Sequence, residues 1–127
     1  MNLDANLHAN LHANLHDTPS AEQLVESVRE WLERDVLADT TGRLQFHTRV
    51  AINVLAMVER ELRLGAGQAA AHAVRLAQLG CAHDAELATR IREGVFDDRL
   101  DEVRELVLAD VRDKLAVANP KYLADDV

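Results

Sequence analysis

Residues 44–64 read LQFHTRVAINVLAMVERELRL, and this stretch decides the fold. At about 100° per residue, Phe46, Val50, Val54, Met57, Val58, Leu62 and Leu64 recur at helical spacing over half the circumference of one long helix. The apolar stripe of a surface helix is narrower, so the arc predicts a central helix, about 42–64, with that side turned to the core. His47 and Glu61 fall inside the arc, and Arg49, Asn53 and Arg60 cluster along one edge. A buried charge is costly unless it is paired and hydrogen-bonded. These five residues are therefore the candidate ligand-binding set, each expected to find a partner on another helix. His47 and Glu61 stand roughly 21 Å apart along the axis at ~1.5 Å per residue, too far to pair with each other. Arg49 and Asn53 are one turn apart and can act together on one carboxylate or one ligand.

Working outward, Thr18-Pro19-Ser20 begins the folded part, with Thr18 as a cap and Pro19 at the first helical position, where its missing N–H costs nothing. The helix that follows is expected to run to about Leu37, burying Leu24, Val25, Val28, Trp31, Leu32 and Val36 and exposing Glu22, Glu26, Glu30 and Glu33. Asp39-Thr40-Thr41-Gly42 breaks it. Downstream, Gly65-Ala66-Gly67 is expected to end the central helix, since glycine accepts the left-handed conformation of helix ends. A third helix, about 68–79, is rich in small residues (Ala69, Ala70, Ala73, Ala77) and stops at Gly80. A fourth covers about 84–93 and stops at Gly94. The last, about 98–117, repeats Leu100, Val103, Val107, Val111 and Leu115 and is closed by Asn119-Pro120, because the residue before proline avoids the helical region. No segment alternates with period two. The expectation is an all-α fold, a compact bundle of about five helices.

The length of 127 residues suits one domain: a low-complexity tail over 1–17 and a single helical domain over 18–127. An apolar content of 48% with 28% charged residues is ordinary for a soluble protein. With Trp31, Phe46, Phe96 and Tyr122 as the aromatic set, the core must be mostly Leu, Val and Ala. The net charge of −8 argues against nucleic acid and anionic membranes as partners, since both reward basic surfaces. Residues 41–80 nevertheless carry five Arg against two Glu. One reading is internal, basic helix edges facing acidic ones; the other is a local anion site around Arg49, Arg60 and Arg63. Cys81 is the single cysteine, so no intrachain disulfide forms. The absence of an 18-residue apolar run and of a signal-like N-terminus points to a cytoplasmic protein.

Residues 2–17 are four tetrapeptides built on Asn-Leu-x-Ala or Asn-Leu-His-Asp. In a helix they would stack His8, His12 and His16, a spacing from which two imidazoles can hold Zn²⁺. The alternative is a frayed terminal extension, and no metal or cofactor is expected. Catalytic signatures are missing: there is no GxSxG, Gly-rich phosphate loop, HExxH or paired CxxC, and no Glu-x-x-His of the di-iron bundles. Ser20 and Ser27 have no His close in sequence. Cys81 and His83 form a lone C-x-H pair, a weak metal signal.

The runs Phe46-His47-x-Arg49-Val50-Ala51-x-Asn53 and Val58-Glu59-Arg60-Glu61-Leu62, with the ending Leu115-Ala116-Val117-x-Asn119-Pro120-Lys121-Tyr122, resemble a small bacterial all-helical family of unknown function over about residues 18–123. The resemblance implies a context: members are often encoded beside, or fused to, aminoglycoside-phosphotransferase-like kinases, in company with acyl-CoA dehydrogenases. It implies no catalytic residue. Two functions follow as expectations. One is a non-catalytic helical accessory module that binds a phosphotransferase-like kinase or another copy of itself. The other is a small-molecule module whose Arg49–Asn53–Arg60 edge holds a phosphate- or acyl-CoA-type anion.

Overall fold

Ser20, not Thr18, caps the first helix. The computed structural model describes residues 18–124; the tetrapeptide repeat, with His8, His12 and His16, lies outside them. Helix α1 (Ala21–Trp31) opens with a reciprocal box in which Gln23 N donates to Ser20 Oγ at 3.2 Å and Ser20 N donates to Gln23 Oε1 at 2.8 Å. Two donors that a helix start leaves without partners are thereby satisfied, and Thr18 and Pro19 stand outside the helix. The chain continues as one wide π-helical turn, Leu32–Val36, and ends where Thr40 Oγ1 donates to Val36 O at 2.8 Å.

Helix α2 (Gly42–Gln78) is a single run of 37 residues, about 56 Å at the α-helical rise. The expected break at Gly65-Ala66-Gly67 does not occur, and the expected third helix is the second half of α2. Neither glycine adopts the left-handed conformation, which is reserved for Gly42, Gly80 and Gly94. Each costs a helix interior about 1 kcal/mol relative to alanine, a cost that a long packed helix absorbs. Gly80 (φ +68°) and Gly94 (φ +79°) do end helical segments. Helices α3 (Asp84–Arg92), α4 (Leu100–Ala118) and the short α5 (Lys121–Ala124) complete the order. The fold is all-α with one long central helix, and no strand occurs among the described residues.

The chain divides into two units after Glu59, and α2 passes through both. The second unit has an apolar core: Leu76, Leu79, Cys81, Leu87, Phe96 and Val103, backed by Leu106. Phe96 is its centre, at 2% exposure. The first unit, α1 and the first part of α2, is built differently. Its buried side chains, among the described residues, are both polar: Thr48 and Glu59.

This reverses the reading of α2. Most of the arc expected to face the core faces outward: Phe46 is 61% exposed, Val54 51%, and Val50, Met57 and Leu62 are exposed as well, while Val58 and Leu64 are half-buried. The inner face is Thr48, Ile52, Leu55 and Glu59, with Ile52 and Leu55 half-buried. A polar-looking face can turn inward because its polar groups are already answered. Thr48 Oγ1 donates to its own helix at Leu44 O, 2.7 Å away, and Glu59 receives Arg29 of α1. On α1, likewise, Val25, Leu32 and Val36 are half-buried, while Leu24, Val28 and Trp31, expected inside, are about half exposed.

Candidate functional site

The second half of α2 carries Gln68, His72 and Arg75 at helical spacing, so all three share one face. Opposite them, α4 presents Asp110 and Asp113. Arg75 Nη1 donates to Asp110 Oδ1 at 2.7 Å and to Asp113 Oδ2 at 2.9 Å. Gln68 Nε2 donates to the Asp113 carbonyl at 2.7 Å. His72 sits between two carboxylates, Nδ1 2.9 Å from Asp110 Oδ2 and Nε2 2.9 Å from Asp84 Oδ1 at the start of α3. Hydrogen bonds first to Asp110 and then to Asp113 hold the Arg75 guanidinium above its ordinary pKa. The result is one chain of ionisable side chains, Asp84–His72–Asp110–Arg75–Asp113.

Beside this chain runs an open groove of about 480 Å³, with Gly65, Ala69, Val117 and Ala118 among its apolar lining and Glu61, Gln68, His72, Asp110, Asp113 and Lys114 as its polar groups. Small residues on α2 leave the space. No serine, threonine or cysteine lines it, so it lacks a side-chain hydroxyl or thiol nucleophile, and of its acids Asp110 is held by Arg75 and His72 and Asp113 by Arg75. Among the described residues no group of three or more His, Cys, Asp or Glu could hold a metal ion. Glu61, Asp110 and Asp113 against Lys114 make the groove a poor receptor for an anion. Its geometry fits a staple that locks α4 to α2.

The five residues singled out from sequence are not gathered in one place. Arg60 and Glu61 lie at the groove: Arg60 Nε donates to Val117 O at 2.8 Å, and Glu61 is exposed on its lining. His47, Arg49 and Asn53 lie in the first unit, all exposed. His47 Nε2 accepts from Arg43 Nε at 3.3 Å and its ring stands edge-on to Phe46. Arg49 and Asn53 make no side-chain hydrogen bond or ion pair among the described residues. His83, half of the lone C-x-H pair, caps α3 by accepting from Glu86 N through Nδ1, while Cys81 is buried in the core. His72, Arg75, Asp110 and Asp113 were missed in the sequence. The available signal was the matched spacing of 72 with 75 and 110 with 113, one basic pair and one acidic pair each three residues apart.

A family model described as a domain of unknown function, DUF6285, matches residues 38–122. The chain belongs to the DUF6285 family. The DUF6285 match takes in all of α2, α3 and α4 and the first residues of α5, with the ionisable chain and groove inside it, while α1 precedes it. No curated protein and no solved structure matches the chain. Among the described residues no helix is long and apolar enough to cross a membrane.

Proposed function

We propose that this DUF6285 chain is a non-catalytic helical interaction module, accessory to a phosphotransferase-like kinase. The observation that carries the reading is the outward-facing apolar surface of the first unit: the α2 stripe of Phe46, Val50, Val54 and Met57 and the α1 stripe of Leu24, Val28 and Trp31. Single apolar residues on a surface need no explanation, but stripes of several at helical spacing mark surfaces that another molecule covers. The groove supports the same reading from the other side. His72, Asp110 and Asp113 of its lining are engaged with one another, Arg75 and Asp84, which supports a structural network rather than groups poised toward a reacting atom. The kinase as partner follows from the resemblance set out above.

The anion-binding alternative has less support. Arg60 is engaged by the Val117 carbonyl, so the Arg49–Asn53–Arg60 edge is not free to close on one ligand.

The test is a calorimetric titration of the full chain into a phosphotransferase-like kinase from its own host. A complex of defined stoichiometry is expected. No complex, together with an unfolding midpoint raised by a nucleotide or CoA ester, would overturn the module in favour of the small-molecule reading; a ligand at 100 times its Kd adds ~2.7 kcal/mol.

A further inference from the structure

The two apolar stripes of the first unit sit in opposite electrostatic surroundings. On α1, Leu24, Val28 and Trp31 recur at i, i+4 and i+7, all about half exposed. That helix and its π-helical turn hold Glu22, Glu26, Glu30, Glu33 and Asp35 against Arg29 and Arg34. Arg29 is itself taken up by Glu59 and Glu33, and five acidic side chains against two arginines leave the element net acidic. On α2 the stripe through Val50, Val54 and Met57 runs along residues 42–58, which hold Arg43 and Arg49 and no acidic residue. One helix is apolar and acidic, the other apolar and basic.

Surfaces of that kind are complements, and this chain carries both. Laying α2 on a second α2 would bring Arg43 and Arg49 toward their own copies, and like charges across an interface are costly. Laying α1 of one chain on α2 of another brings apolar stripe to apolar stripe and acidic rim to basic rim. A two-fold axis makes that contact twice, because in such a dimer residue i meets j and j meets i. We infer that the occupant of this face is a second copy of the chain, the α1 stripe of each lying on the α2 stripe of the other. The inference rests on the interaction-module reading and names the partner at this face; the kinase then meets a dimer.

Light scattering on the full chain over a micromolar concentration range reads the pairing directly. The expected mass is that of a dimer, passing to monomer on dilution. Val28→Glu and Val54→Glu, both at exposed positions, are each expected to remain monomeric over the same range with an unchanged helical circular-dichroism signal. An equimolar mixture of Val28→Cys and Val54→Cys is expected to give an oxidised, cross-linked heterodimer, and Val54→Cys alone is not; Cys81 is buried and does not compete. A chain monomeric throughout, a dimer indifferent to both glutamates, or cross-linking by Val54→Cys alone would each overturn the pairing. A monomer that still binds the kinase overturns the second copy and leaves the module standing. A monomer that binds neither overturns both.

Discussion

Arg29 of α1 grips both carboxylate oxygens of Glu59 on α2, Nε donating to Oε2 and Nη2 to Oε1 at 3.1 Å. The two side chains are only 21% and 11% exposed, and the fork-on-fork geometry is the strong form of a charged hydrogen bond. The hydrogen bond to Glu59, above all, raises the Arg29 guanidinium beyond its ordinary pKa. Thirty residues of sequence are closed by this one pair in a unit whose other buried side chain, among the described residues, is Thr48.

Removing one partner leaves the other charge without an answer in a mostly desolvated place. Glu59→Ala is expected to cost roughly 2 kcal/mol or more, read as an unfolding midpoint lowered by several degrees. Replacing both partners with apolar residues, Arg29→Met with Glu59→Leu, is expected to recover most of that loss. Urea unfolding of the three variants checks it; a double variant no better than Glu59→Ala contradicts the account.

The two phenylalanines are expected to behave oppositely. Phe96 is 2% exposed and sits among Leu76, Leu79, Leu87 and Val103, so Phe96→Ala is expected to cost about 3–5 kcal/mol. Phe46 stands on the surface, and Phe46→Ala is expected to stay within about 0.5 kcal/mol at concentrations dilute enough for the monomer. Equal losses at both positions would mean that the outer arc of α2 is core after all.

His72 and Arg75 share Asp110, so their contributions cannot be independent. His72→Ala and Arg75→Ala are expected to combine non-additively. A double-mutant cycle measures this. Strict additivity would show that the ionisable chain along the groove is not one network.

A pH dependence follows from Glu86. The backbone N–H of Ala82 donates to its carboxylate at 2.8 Å, and Arg90 and His83 lie near, so its pKa is held below the ordinary carboxylate value. A carboxylate with a depressed folded pKa stabilises the fold above its unfolded pKa, ~4.3, and that contribution is lost as pH falls through the folded value. Glu86→Gln is therefore expected to be less stable than the parent chain at neutral pH, the gap closing as pH falls below the ordinary carboxylate range. A gap that stays constant over that range would remove Glu86 from the account.

Punctuation was legible in the sequence and facing was not. Gly80, Gly94 and Asn119-Pro120 end helices where local chemistry says they should, since a left-handed glycine or a following proline acts whatever surrounds it. Gly65 and Gly67 break the same rule: neither turns left-handed, and a glycine inside a helix costs only about 1 kcal/mol relative to alanine. The 3.6-residue period located α2 but could not orient it, for both its faces hold apolar residues. The side chosen by polarity was wrong because Thr48 answers its own hydroxyl and Glu59 is answered by Arg29, a residue on another helix. The burial expected of part of the candidate site was misread in the same way. His47, Arg49 and Asn53 were singled out as buried polar residues needing partners, and they stand in the open. The groove's network rests on Asp110 and Asp113, whose meeting with Arg75 is set by how α4 lies on α2, and no window of sequence displays that.

The central claim is that the apolar stripes of the first unit are surface in the isolated chain and are covered by a protein partner. Trp31 is the single tryptophan, lies on the α1 stripe, and is 51% exposed. Acrylamide quenching of its fluorescence along a dilution series is thus the most direct measurement. The account predicts strong quenching in dilute solution, falling as protein concentration or added kinase covers the stripe. Quenching that is weak at every dilution, or strong at every concentration with and without the kinase, would contradict it.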